Sequence, residues 1–198
     1  MVVVAGLGNP GRKYAKTRHN IGFRVVERLS DELGIELAER ELYALGSGAV
    51  EGEEIVLLKP LTFMNRSGMA VRHLLSRVGI PAEEARNSLI VVHDDLDIDT
   101  GVIRVRRNGS SGGHKGVESI IHAIGNRDFI RVKIGIGRDR TVPAEEYVLC
   151  TFRGDEKDLT ERAIVDAADA VTMIIRSGVE RAMEKFNRST GKQTSGEA

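Results

Sequence analysis

The chain has 198 residues, 41% of them hydrophobic, with 29 Lys and Arg against 29 Asp and Glu and a formal net charge of zero. That is one domain's length with enough apolar residues for a core, and the single Cys150 excludes an internal disulfide or a cysteine-based zinc knuckle. The longest apolar runs, Val2–Ala5 and Leu89–Val92, fall far short of the roughly 18 residues of a membrane span, and nothing basic precedes the first, so a cytoplasmic protein without a secretory signal is expected.

Val2 to Ala5 reads as a buried strand, and the glycine-rich loop Gly6–Gly11 follows it. Asn20 stands where a helix cap is expected, ahead of Ile21, Val25, Leu29 and Leu33 at helical spacing, with Gly34 as the stop. Tyr43–Val50 and Glu54–Pro60 read as two strands of a hairpin turning at Glu51-Gly52-Glu53. Asn65 is placed to cap a second helix, whose apolar positions are Met69, Leu74, Leu75 and Val78 and whose stop is Gly79. A short strand at Leu89–Val92 runs into an acidic loop. Val102 to Arg106 then alternates apolar and basic residues, predicting a strand with one charged face. A Gly/Ser loop at 109–113, a helix near 115–124, a strand from Ile130 to Ile136, a long helix from Asp155 to Arg176 and a shorter one over Val179–Phe186 complete the pattern. The expected fold is α/β: a single domain over 1–187, built on a mixed twisted β-sheet with helices packed on both faces. Residues 188–198 are polar and predicted to form a flexible tail.

The zero net charge conceals separated blocks. Nine basic residues lie between Arg104 and Arg140 against three acids, and six between Arg12 and Arg28 against Glu27 alone, whereas Glu83–Asp99 holds six acids against Arg86. Concentrated basic blocks on a neutral chain suit local contact with a polyanion; two solvated faces of opposite sign are the plainer alternative.

Several motif matches fail on context. Gly6-Leu7-Gly8-Asn9-Pro10-Gly11 satisfies G-x-G-x-x-G, yet helical periodicity begins only near Asn20 and Pro10 lacks an N–H, so a dinucleotide pyrophosphate would meet no helix N-terminus. Asp95, Asp97 and Asp99 imitate the start of a calcium loop, but Thr100 stands where glycine is due and Arg106 where the closing carboxylate is due. The five histidines show no zinc spacing, and neither Ser110 nor Ser111 lies in a nucleophile elbow. What remains is a set of polar residues beyond predicted strand ends: Asn9, His19, Asn65, Asp94 and His114. One histidine and one carboxylate suffice to activate water, and asparagines can orient it or donate to a developing oxyanion. His73 and His122 read as structural or surface residues, and His93 as the residue closing its strand.

Taken together, Val4–Gly11, Tyr14, Thr17–Phe23, Lys59–Asn65, His93–Asp97, Gly112-Gly113-His114 and Arg131–Gly137 resemble the bacterial-type peptidyl-tRNA hydrolase family, in the family's order and over about residues 2–187. The resemblance implies a monomer on a mixed sheet that cleaves the ester between a peptide and the 3′ ribose of tRNA, with no metal or organic cofactor. It assigns His19 as general base, Asp94 as its orienting partner, Asn9 as a contact to the nascent peptide's first carbonyl or amide, and Asn65 as a contact to substrate or tetrahedral intermediate. Phe63 and Met64 would wall the cleft, Tyr14 would lie near the tRNA end, and His114 would sit on a lid. Arg104, Arg106 and Lys133 would grip phosphates of the acceptor stem and 3′ CCA end.

Two positions depart from the family pattern. Lys115 follows the lid histidine where asparagine is common; lysine donates only and adds a charge, which suits a phosphate or ester carbonyl better than positioning a water. Lys133 replaces a common arginine and lacks its bidentate fork. A catalytically idle RNA-binding relative of the same fold is the competing reading, and the intact Asn9, His19, Asn65 and Asp94 favour the enzyme.

Overall fold

Strand and helix alternate along the chain as β1 (Val2–Gly6), α1 (Ile21–Leu33), β2 (Ala38–Glu39), β3 (Tyr43–Val50), β4 (Glu53–Pro60), α2 (Ser67–Arg77), α3 (Ala85–Ser88), β5 (Leu89–Asp95), β6 (Ile103–Arg106), α4 (Lys115–Ile124), β7 (Ile130–Gly135), α5 (Ala144–Tyr147), α6 (Lys157–Ser177) and α7 (Val179–Phe186). These come from a computed structural model that describes residues 1–187; the predicted tail, 188–198, lies outside the described residues. The strands form one mixed sheet in the order β2-β3-β4-β1-β5-β7-β6. Its centre, β4-β1-β5-β7, is parallel, while β3 and β2 at one edge and β6 at the other run antiparallel to their neighbours. No described helix is long and apolar enough to cross a membrane.

The central strands are apolar on both sides because helices cover both. Val4, Leu57, Ile90, Val92, Val132 and Ile134 pack with α1, α6 and α7, whereas Val3, Ala5, Val56, Leu58, Leu89 and Val91 pack with α2, α3 and α4. Towards the β6 edge the second layer stops. There β6 keeps the expected alternation and β7 shows the same, burying Ile103, Val105, Ile130 and Val132 on the first face and setting Arg104, Arg106, Arg131 and Lys133 on the other.

The hairpin turns on Glu51 and Gly52, at φ 50° and 88°, a two-residue turn of the hand that matches strand twist. Glu53 therefore belongs to β4, opposite Val50. The two predicted helix caps are not caps. Neither α1 nor α2 has a side-chain cap bond; each is entered through a 3-10 turn, Arg18–Asn20 and Met64–Arg66. Buried residues of α2 are Ala70, Val71, Leu74 and Leu75, while Met69 is 40% exposed, because the 3-10 turn shifts the phase of the helix. The strand predicted at Leu89–Val92 continues to Asp95, pairing His93, Asp94 and Asp95 with Lys133, Ile134 and Gly135, so Asp94 lies on a strand and not in a loop.

Candidate active site

The carboxyl ends of the parallel strands are where ligand sites collect in open α/β sheets, and five segments meet there: the loop after β1, the turn Arg18–Asn20, the turn after β4, the end of β5 and the start of α4. The first two are held together by glycine contacts. A Cβ on Gly6 would lie 2.2 Å from the Gly22 carbonyl oxygen, and one on Gly22 would lie 2.4 Å from that of Val92. These glycines of the false dinucleotide motif and of α1 serve helix–strand contact, not phosphate. Asn20 completes the join with its side chain, which accepts from the Asn9 N–H at 2.9 Å and donates to the Asn9 carbonyl at 2.9 Å. That double bond to a residue eleven positions back is why Asn20 does not cap α1.

Asn9, so fixed, spends its own side-chain oxygen on the Met64 N–H at 2.9 Å. Its Nδ2 has no protein partner among the described residues, so Asn9 presents an N–H donor to the cleft.

His19 is 8% exposed, and its Nδ1 lies 2.8 and 3.0 Å from the two carboxylate oxygens of Asp94. A carboxylate only accepts, so the ring proton sits on Nδ1 and the Nε2 lone pair is free to take a proton. His114 meets the same carboxylate from α4. As N-cap of that helix its Nδ1 accepts from the N–H groups of Gly116 and Val117, each at 3.2 Å. The proton of His114 therefore lies on Nε2, which donates to Asp94 Oδ1 at 3.0 Å. Burial pushes the Asp94 carboxyl up, but the two imidazoles outweigh it and hold the group far below the usual carboxylate range. His93 lies beneath, its Nδ1 donating to the Asp94 carbonyl at 2.7 Å and its ring 4.7 Å from that of His114. Burial, and then the neighbouring His114, depress its basicity, so His93 stays neutral.

Ligand atoms of His19, Asp94 and His114 lie within 4.8 Å of one another, close enough to suggest a metal. The hydrogen bonds argue otherwise: the ring nitrogens facing Asp94 carry its two hydrogen-bond protons, and the other nitrogen of His114 is committed to α4. The donor set is that of a proton-handling site.

The cleft, about 510 Å³, brings together Asn9, His19, Phe63, Met64, Asn65, Asp94, His114 and Lys115. Phe63 is 55% exposed at its rim, whereas Met64 is buried, and its sulfur occupies the space a Cβ on Gly116 would need. Lys115, in the first turn of α4, is exposed and faces the cleft without an ion-pair partner among the described residues. Tyr14 is not part of the lining; it is half-buried beside Lys13, whose Nζ lies 4.7 Å from the ring centroid. Arg104, Arg106 and Lys133 also lie off the lining, on the open face of β6 and β7, and Lys133 is bonded to Asp95 at 2.8 Å.

The loop expected to be a lid is tied down. Arg131, buried beneath it, donates to the carbonyls of Gly109 and Ser110, and burial lowers its pKa to about 10. His114 is held at the loop's far end by Asp94 and α4. Residues missed by the sequence reading complete the opposite wall: Leu96, Asp97, Arg138, Ala144, Glu145, Val148 and Leu149. Asp97 and Arg138 form an ion pair at 3.6 Å. The basic count through Arg140 included Arg138, but the short α5 has no periodicity long enough to be read.

The family model described as peptidyl-tRNA hydrolase matches residues 3–195. The peptidyl-tRNA hydrolase of Thermodesulfovibrio yellowstonii is 45% identical over 188 residues, covering 95% of this chain and 100% of that relative. That of Thermoanaerobacter sp. strain X514 is 47% identical, covering 94% and 100%. A crystal structure of peptidyl-tRNA hydrolase from Acinetobacter baumannii superposes with a TM-score of 0.86 at 37% identity, over 95% of both chains.

Proposed function

The chain belongs to the peptidyl-tRNA hydrolase family and hydrolyses peptidyl-tRNA; from that premise we propose that it does so by water attack on the ester, with His19 as general base. The observation that carries this is the free Nε2 of His19 in the cleft, with Nδ1 2.8 Å from Asp94. Nε2 takes a proton from water as the water oxygen bonds to the ester carbonyl carbon. Asp94, as positioning residue, keeps the tautomer and stabilises the imidazolium. N–H donors from Asn65 and the ammonium of Lys115 flank the developing oxyanion. Collapse breaks the bond to the ribose 3′-oxygen, which recovers its proton from the imidazolium.

Asn9 separates blocked from unblocked substrates. Its oxygen is committed to Met64, so its Nδ2 can only donate, and the matching acceptor is the carbonyl acylating the substrate's α-nitrogen. A free aminoacyl-tRNA lacks that carbonyl and offers an ammonium, another donor, in its place.

The RNA is held by the open face of β6 and β7. Arg104 and Arg106 there belong to the most basic stretch of the chain and suit the acceptor stem, while Lys133 reaches phosphate by leaving Asp95. The chemistry needs neither metal nor organic cofactor. The reading is of a monomer acting in the cytoplasm, where translation supplies the substrate.

The test is hydrolysis of N-acetylaminoacyl-tRNA beside unblocked aminoacyl-tRNA. Cleavage of the blocked substrate alone is expected; equal cleavage of both would remove the selective role of Asn9, and tight binding without turnover would favour the idle RNA-binding relative. For the RNA face, Arg106→Ala is expected to weaken tRNA binding and flatten the slope of log K against log salt by about 1, since one phosphate contact fewer releases fewer counterions. Filter binding over a salt series reads this, and an unchanged slope takes Arg106 out of the phosphate contacts.

A further inference from the structure

We propose that Arg18 and Glu156 form a clamp that positions the base: Arg18 is a positioning residue acting through His19, and this rests on the reading of His19 above. Arg18 is 2% exposed. Its guanidinium forks onto the Glu156 carboxylate, Nη1 to Oε1 at 3.0 Å and Nη2 to Oε2 at 2.7 Å, and Nη1 also reaches the Ile136 carbonyl at 3.4 Å. The same group lies 4.4 Å from the Tyr147 ring centroid and 4.7 Å from that of Phe152. One side chain thus gathers the end of β7, the segment after α5 and the turn before α6.

The backbone around it is bound to the same region. Arg18 N–H donates to the Cys150 carbonyl and His19 N–H to that of Val148, each at 2.9 Å, and Thr17 bridges to Thr151. Val148 and Leu149 are cleft wall. The base and the wall opposite α4 are therefore joined through backbone bonds, and the clamp braces that join from the side chain of Arg18. Two elements hold His19: Asp94 fixes its ring, and the turn Arg18–Asn20, with the His19 N–H on the Val148 carbonyl, fixes its backbone. Releasing the turn lets the ring leave the line between Asp94 and the water.

A buried ion pair is a poor device for stability alone, because apolar residues of the same shape commonly serve as well. Its value here lies in geometry. A forked, stacked guanidinium fixes direction in a way that the single ammonium of lysine cannot.

The test uses Arg18→Lys and Glu156→Gln in the full chain, assayed on N-acetylaminoacyl-tRNA beside His19→Ala. Both clamp variants are expected to lower kcat by about 10- to 100-fold, the scale of a displacement near 1 Å, with KM changed by less than about twofold. The downfield proton resonance of His19 Nδ1–H is expected to shift or broaden in both, and the double variant to lose no more than the worse single one. Should Arg18→Lys fail to fold, Glu156→Gln carries the comparison, since it preserves shape and leaves the guanidinium between its two rings. Unchanged kcat and an unchanged His19 resonance, with only a lowered thermal midpoint, would make the pair structural and overturn the proposal. Full activity of His19→Ala overturns the base assignment and this proposal together. Full activity of the clamp variants beside an inactive His19→Ala overturns this proposal alone.

Discussion

His19→Ala is expected to lower kcat by about 100- to 10,000-fold, the range of general acid–base catalysis, and to leave tRNA affinity nearly unchanged. The asymmetry follows from where the residue sits. The His19 side chain is about 10% exposed and touches Asp94 and the His114 ring, whereas the basic residues of β6 and β7 lie off the cleft lining. Alanine removes the imidazole whose unprotonated Nε2 opens to the cleft without a protein partner; the corresponding nitrogen of His93 is buried off the cleft, and Nδ1 of His114 is committed to α4. His114 cannot substitute without giving up that cap. Single-turnover hydrolysis of N-acetylaminoacyl-tRNA, beside equilibrium binding of uncharged tRNA, separates the two quantities. A fall in affinity matching the fall in rate would move His19 from chemistry to binding.

The fold was legible wherever a segment's own pattern decided its structure. The apolar runs of β1, β4 and β5, the alternation of β6 and β7, and the helical spacings of α1, α4, α6 and α7 all have local causes, and the sheet followed from them. Errors arose where a side chain answers to a distant partner. Asn20 has the identity and place of a helix cap, yet its amide is taken by the Asn9 backbone. Asp94 was placed in a loop because acidic residues disfavour strands, but its backbone pairs with β7 while two imidazoles compensate its charge. The Gly/Ser loop at 109–113 reads as part of a lid, and nothing local announces that Arg131, some twenty positions on, is buried beneath the Gly109 and Ser110 carbonyls. The polar residues at strand ends, and the family resemblance joining them, point to His19, Asp94, Asn9 and Asn65, which the structure gathers in one cleft. Arg18 stands beside His19 in the matched segment, but its partners, Glu156 and two rings, come from beyond residue 146.

Asp94→Asn is the second large effect, and its geometry sets it below loss of His19. Both histidines share Oδ1, at 2.8 and 3.0 Å, and an amide oxygen placed there still accepts from both. What asparagine loses is the charge and the second acceptor 3.0 Å from His19 Nδ1, where an NH2 would face the ring proton. Bonds to a charged group contribute about 1.5–3 kcal/mol against about 1 for neutral ones, so kcat is expected to fall about 10- to 100-fold. Stability responds with a definite sign. The Asp94 carboxyl titrates far lower in the folded chain than the ordinary value near about 3.9. It therefore stabilises the fold above that value, and the contribution is lost as pH falls towards the folded value. His93 acts in the same sense at higher pH. Its folded basicity is depressed, so below about 6.5 the unfolded chain binds the extra proton and stability declines. Urea unfolding at a series of pH values should show both slopes in the wild type, with the one below about pH 4 reduced in Asp94→Asn. An unchanged kcat with an unreduced slope would mean that the carboxylate neither supports the base nor is held ionised by the two imidazoles.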